Sequence, residues 1–255
     1  MRRRWTAHLN QLLTGQDERE TQQLVEEFKD IVGVIVLVAT PLSVNTLARL
    51  LGKGKIDIQT HLDLFYSVLD IPTGLDEPVR VLHLSFRDFL LDNMKKGAPF
   101  WINTEEVHHK LMVQCLNVMR RERNGLKKNI CNIKYDGARR NEIDMYTLSR
   151  CLPPDLRYAC RYWVHHLVRS HDPINELIQA FSFLQSHFLY WIEAMSLLNI
   201  LSEAAEMTQR LRSIVQVSIR RFDIRTKTEE YRMIKILKYR GFYMMLGDLA
   251  LKIDK

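Results

Sequence analysis

The segment "VRVLHLSFRDFLLD", Val79 to Asp92, sets a histidine into an apolar alternation just ahead of a helix start, the one imidazole whose surroundings predict a specific role. An imidazole titrates near neutrality and donates or accepts a hydrogen bond, so at such a place it can serve catalysis, metal ligation or phosphate sensing. The other reactive groups lack the spacing their chemistry needs. His108-His109 and His165-His166 are adjacent pairs, which leave a helix about 100° apart, and no HExxH or Cys/His box accompanies them, so no metal site is expected. No G-x-S-x-G occurs, so the sequence names no catalytic residue and predicts no enzyme.

"LLGKGKID" has the look of a phosphate cradle and fails on register. A P-loop needs a glycine five residues before its Gly-Lys pair and a Ser or Thr after the lysine. Here those earlier positions hold Leu47 and Arg49, and Lys53 and Lys55 are followed by Gly54 and Ile56. By itself the chain is expected to hold neither a nucleoside triphosphate nor its Mg²⁺.

The elements that position His83 follow from periodicity. Leu24, Phe28, Ile31, Ile35 and Val38 step by four, three, four and three, which predicts a helix from Glu18 to Ala39, ended by Pro41. Its apolar end, "IVGVIVLVA", falls far short of the roughly 18–20 residues of a membrane span. A short helix follows with Ser43 as N-cap and Gly52 as terminator. The residues Ile58, Leu62, Phe65 and Leu69 predict a third helix, Ile56 to Ile71. "PTGLDEP" is turn chemistry; beyond it a strand is expected, with His83 on the face opposite Leu82 and Leu84, then a helix opened by Ser85 and Asp88 in a capping-box-like pair.

From about Phe100 all signals are helical, for five or six packed helices. Val107, Leu111, Cys115 and Met119 trace one stripe that Gly125 can end, and Leu156, Ala159, Trp163 and Leu167 trace another after the prolines of "LPPD". Asp172 and Pro173 suit the cap and first position of a further helix, and Phe188, Trp191, Met195 and Leu198 mark one more. The expected fold is therefore mainly α: a winged-helix-like domain with a small β wing, then an α-helical bundle or superhelical domain. The expected divisions are an N-terminal lead-in over residues 1–17, the winged-helix domain over 18–99, the helical domain over 100–222 and a divergent basic tail over 223–255.

The formal charge of +7 lies in the last part of the chain, where residues 210–255 carry 12 basic and 5 acidic groups. Such a tail is open to nonspecific contact with phosphates, so a nucleic-acid-binding protein using it is one alternative reading. Sequence-specific DNA recognition is not expected, because the third helix presents Asp57, Asp63 and Asp70 and no Lys or Arg from Ile56 to Ile71. Four cysteines without a C-x-x-C, and a start without an apolar h-region, predict a cytoplasmic chain with free thiols and no membrane span.

Three segments in order, "FKDIVGVIVLVATPLSVNTLARLLG", "LDLFYSVLDIP" and "VLHLSFRDFLLD", resemble the winged-helix region of fungal NACHT-type STAND NTPases, the NLR-like proteins that include vegetative-incompatibility proteins. "NICNI", "LPPDLRYACRYWVHHL" and "FLQSHFLYWIEAMSLL" resemble the helical domain after it, and the likeness covers about residues 18–222. The resemblance implies a non-catalytic regulatory region in signal transduction that packs against a NACHT nucleotide-binding domain, in cis or trans, alongside other protein partners. It also implies that His83 contacts the β-phosphate of ADP held by that domain. ADP or ATP with Mg²⁺ enters only where a NACHT domain is supplied. A complete STAND ATPase, of which this sequence is a truncated form, is the other alternative. The segment after about Phe222 departs from the family.

Overall fold

The computed structural model describes residues 5–7, 9, 11, 13–134, 142–170 and 173–222, and these are mainly helical. They fall into two compact units divided between Leu111 and Met112. The basic tail of residues 223–255 and Asp172 lie outside the described residues.

In the first unit, α1 (Glu18–Leu37) opens with a full capping box: Asp17 accepts from the Glu20 N–H at 2.7 Å and Glu20 returns the bond to the Asp17 N–H at 3.2 Å. Its second half is buried on every side from Ile31 to Leu37, and it stops there, before Pro41 is reached. Gly33 lets this helix run close to its neighbours, since a Cβ there would meet Val107 Cγ2 at 3.3 Å. Helix α2 (Val44–Leu51) has the expected caps, Ser43 accepting from the Thr46 N–H at 3.2 Å and Gly52 left-handed at φ 65°.

The third helix is shorter than its apolar spacing predicts. Helix α3 spans Lys55–Asp63; the chain then turns and Leu69–Asp70 becomes β1, pairing antiparallel with β2 (Arg80–Val81), Leu69 opposite Val81. Ile58, Leu62, Phe65 and Leu69 are all buried, so the stripe was read correctly and its backbone was not. Spacings of three and four suit consecutive turns as well as a helix, and the β2 partner decides. Helix α4 (Leu84–Leu90) follows β2 directly.

Between α3 and α1 lies a pH-sensitive contact. His61 Nδ1 faces the Asp57 carbonyl and Nε2 the Glu27 carboxylate, each at 2.5 Å, two acceptors that are both satisfied when the ring is charged. Burial opposes that charge, but the Asp57 carbonyl and the Glu27 carboxylate outweigh burial and the nearby Lys53, and the His61 pKa is raised. Glu27 is lowered, by the Gln23 amide first and by His61 as well. The His61 contribution is complete below the ordinary imidazole value of 6.5 and fades as pH rises through its raised folded value. The Glu27 contribution is present above 4.5 and fades as pH falls. His61→Ala is therefore expected to cost on the order of 1 kcal/mol near pH ~5.5 and less near pH ~8.5, read by urea denaturation at both. An equal cost at the two pH values would show that the ring acts only by packing.

Helix α5 (Thr104–Arg120) contains the division between the units. Val107, Leu111, Cys115 and Met119 are buried along it as the stripe predicts, and it ends at Arg120, ahead of Gly125. In the second unit, α6 (Met145–Cys151) and α7 (Pro154–Leu167) are separate helices, as the two prolines require. The stripe Leu156, Ala159, Trp163 and Leu167 is buried in full. Helix α8 (Pro173–Leu197) is one continuous element where two were expected, because no Pro or Gly interrupts it after Pro173. Helix α9 (Leu201–Phe222) packs on α7 and α8. Arg161 grips Glu203 bidentately, at 2.6 and 2.7 Å, joining α7 to α9. Cys115 and Cys160 are fully buried free thiols; burial pushes both far above the ordinary thiol range, which removes them as nucleophiles.

Candidate functional site around His83

Two backbone tethers fix the approach to His83. The Val79 N–H donates to the Leu42 carbonyl at 2.9 Å and the Leu82 N–H to the Val68 carbonyl at 3.0 Å, which holds the second strand against the rest of the first unit. Phe86, Phe89 and Leu90, spaced three and one apart, bury one face of α4 and set its rotation. The helix begins one residue before the hydroxyl that sequence assigns to its cap. His83 is the N-cap, extended at φ −131° and ψ 120°, and its carbonyl accepts the Phe86 N–H at 2.9 Å. Ser85 sits inside the first turn, so the Ser85 and Asp88 pair does not open the helix.

The imidazole makes no capping hydrogen bond, and it is exposed. Leu82 and Leu84 are exposed too, at 49% and 76%, which overturns the expectation that they face the opposite side from the histidine. A strand would alternate; β2 stops at Val81, and the turn into α4 puts three successive side chains outward. The ring nitrogens of His83 are thereby offered at a surface flanked by two apolar side chains and two exposed guanidinium groups, Arg80 and Arg87. Chemically this can bind an anionic or hydrogen-bonding group presented by another surface. It offers no nucleophile beside a base.

Sequence reasoning missed one member of the site. Trp5, from the stretch read as a lead-in, lays its indole against His83 with ring centroids 5.9 Å apart, and against Phe86 at 5.4 Å. Leu9, from the same stretch, is 1% exposed. The signal was present: Trp5 and Leu9 fall four apart, the spacing of one helix face.

The rings of His165 and His166 meet edge-on, with centroids 5.1 Å apart, and each has a further aromatic partner. His166 is fully buried and bonded to the Tyr158 hydroxyl at 2.8 Å, while half-buried His165 sits edge-on to Tyr162. Among the described residues no group of three His, Cys, Asp or Glu side chains converges on a point. No helix among them is long and apolar enough to cross a membrane.

No family model and no solved structure matches the chain. Among curated proteins, the chain is similar to the vegetative incompatibility protein HET-E-1 of Podospora anserina, 26% identical over 256 residues. The match covers 83% of this chain and 17% of that protein, so the chain spans about a sixth of the length of the relative it matches. This distant likeness to a fungal vegetative incompatibility protein agrees with the motif succession that begins at Phe28 and carries His83.

Proposed function

We propose that the chain is a non-catalytic regulatory region of a fungal NACHT/NLR-like signal-transduction ATPase, with the first unit in the role of its winged-helix domain and the second in that of its helical domain. The observation that carries this reading is the exposed, uncapped imidazole of His83 at the head of α4, within a chain similar over most of its length to a vegetative incompatibility protein. In this reading His83 meets the β-phosphate of ADP held by a NACHT domain, and Leu82 and Leu84 pack at the rim of that contact. Because the imidazole would bond the nucleotide only in the closed arrangement, it would bias the population toward that arrangement by the difference in contact energy. The cytoplasm is the compartment this role requires.

The test joins the chain to a NACHT domain, in cis or trans, and follows release of fluorescent ADP. His83→Ala is expected to speed release about tenfold, the loss of one hydrogen bond to a charged group. Arg49→Ala, on α2, is the comparison that controls for general charge loss. Unchanged release in His83→Ala, or an equal change in Arg49→Ala, would overturn the role of the histidine. Mg²⁺-dependent hydrolysis of ATP by the chain without any NACHT domain would overturn the wider reading.

A further inference from the structure

A concavity lies wholly within the helical unit. It has a volume of ≈ 360 Å³, within the size range of small-molecule sites, and is bounded by the loop after α5 and by α6. Its polar lining among the described residues is Asn124, Lys127, Asn132, Thr147 and Arg150, with no Asp or Glu in that set, and the Asp144 carboxylate is occupied by the Thr147 N–H at 2.8 Å. Two cationic side chains thus border one small space together with two amide side chains.

The walls are fixed before any ligand arrives. Glu193, on α8, accepts from the N–H groups of Asn129 and Ile130, each at 3.1 Å. The Asn129 amide closes on Ile133 from both sides, accepting from its N–H at 2.6 Å and donating to its carbonyl at 2.9 Å. The Leu126 N–H is held by the Met119 carbonyl at 2.8 Å. Asn124, Asn129 and Asn132 all adopt left-handed backbone, at φ 64°, 50° and 52°, a conformation that costs a non-glycine residue energy and that the surrounding bonds must maintain. On the facing wall, the Arg150 guanidinium lies over the Tyr146 ring at 5.7 Å.

We infer that this pocket binds a phosphate-bearing small molecule, with Arg150 and Lys127 gripping the phosphate and Asn124 and Asn132 supplying neutral hydrogen bonds. A fork of guanidinium donors beside a point-charge ammonium matches a tetrahedral dianion, and rigid walls reduce the ordering cost of binding. The remaining volume accommodates an organic body attached to that group.

The experiment is calorimetric titration of the full chain with inorganic pyrophosphate, and separately with citrate. Saturable binding of one pyrophosphate is expected, weakened about tenfold or more by Arg150→Gln and by Lys127→Gln. Both side chains are exposed, so neither variant should disturb folding. Arg169→Gln, an exposed cation on the same unit outside the pocket, should leave the affinity unchanged. No pyrophosphate binding at millimolar concentration would overturn the site. Equal weakening in Arg169→Gln would overturn it in favour of diffuse attraction, and tighter binding of citrate would overturn the phosphate assignment.

Discussion

Trp163→Ala is expected to destabilise the helical unit by about 3–5 kcal/mol, the usual cost of emptying a large aromatic site in a packed core. Trp163 is fully buried on α7, edge-on to Trp191 at 5.8 Å and to Phe183 at 5.7 Å. Both partners belong to α8, so this one side chain fills the seam between the two helices. Trp191 is further pinned by donating its indole N–H to the Cys160 carbonyl at 2.9 Å. Among the described residues the buried Trp163 indole nitrogen has no such partner. An unsatisfied buried donor is a standing penalty of about 1–3 kcal/mol. Trp163→Phe removes that donor while keeping a ring in the seam, so its cost should be far smaller, about 1 kcal/mol or less. Hydrogen exchange at α7 and α8 amides, with urea denaturation of the same variants, measures both. If the Ala and Phe variants lose equal stability, the ring contacts are not what holds the seam.

Phe28→Ala is the matching substitution in the first unit, with an expected loss of about 3–5 kcal/mol. Its ring, 1% exposed, receives two edge-to-face partners, Phe65 at 5.0 Å and Phe100 at 4.9 Å. Such pairs add about 0.5–1.5 kcal/mol each beyond the area they bury. The consequence reaches the candidate site through the chain. Phe65 lies in the turn whose last residue leads into β1, its carbonyl accepts the Leu69 N–H at 2.9 Å, and β1 holds β2 just ahead of His83. Loss of the Phe28 ring should therefore speed amide exchange at Leu69, Val81 and Leu82 along with the global decrease. Phe28→Leu, which keeps an apolar side chain there, should restore most of the protection. Unaltered exchange at those three amides in Phe28→Ala would show that the hairpin is held independently of the aromatic cluster.

The sequence by itself determined which residues are inside and where most helices begin. Apolar stripes at three- and four-residue spacing named buried positions of α5 and α7, and Ser43, Gly52 and Pro154 marked ends that the backbone obeys, because caps and prolines act through bonds to their immediate neighbours. It also singled out His83 as the imidazole with a distinctive setting. Tertiary structure alone decided where that imidazole points. Whether Leu69 continues a helix or forms a strand depends on Val81, twelve residues away, and that pairing ends β2 early enough to make His83 a helix cap instead of a strand residue. The indole beside it comes from Trp5, and the cationic pocket from residues on both sides of residues 135–141; such contacts depend on distant parts of the chain, to which local spacing is blind.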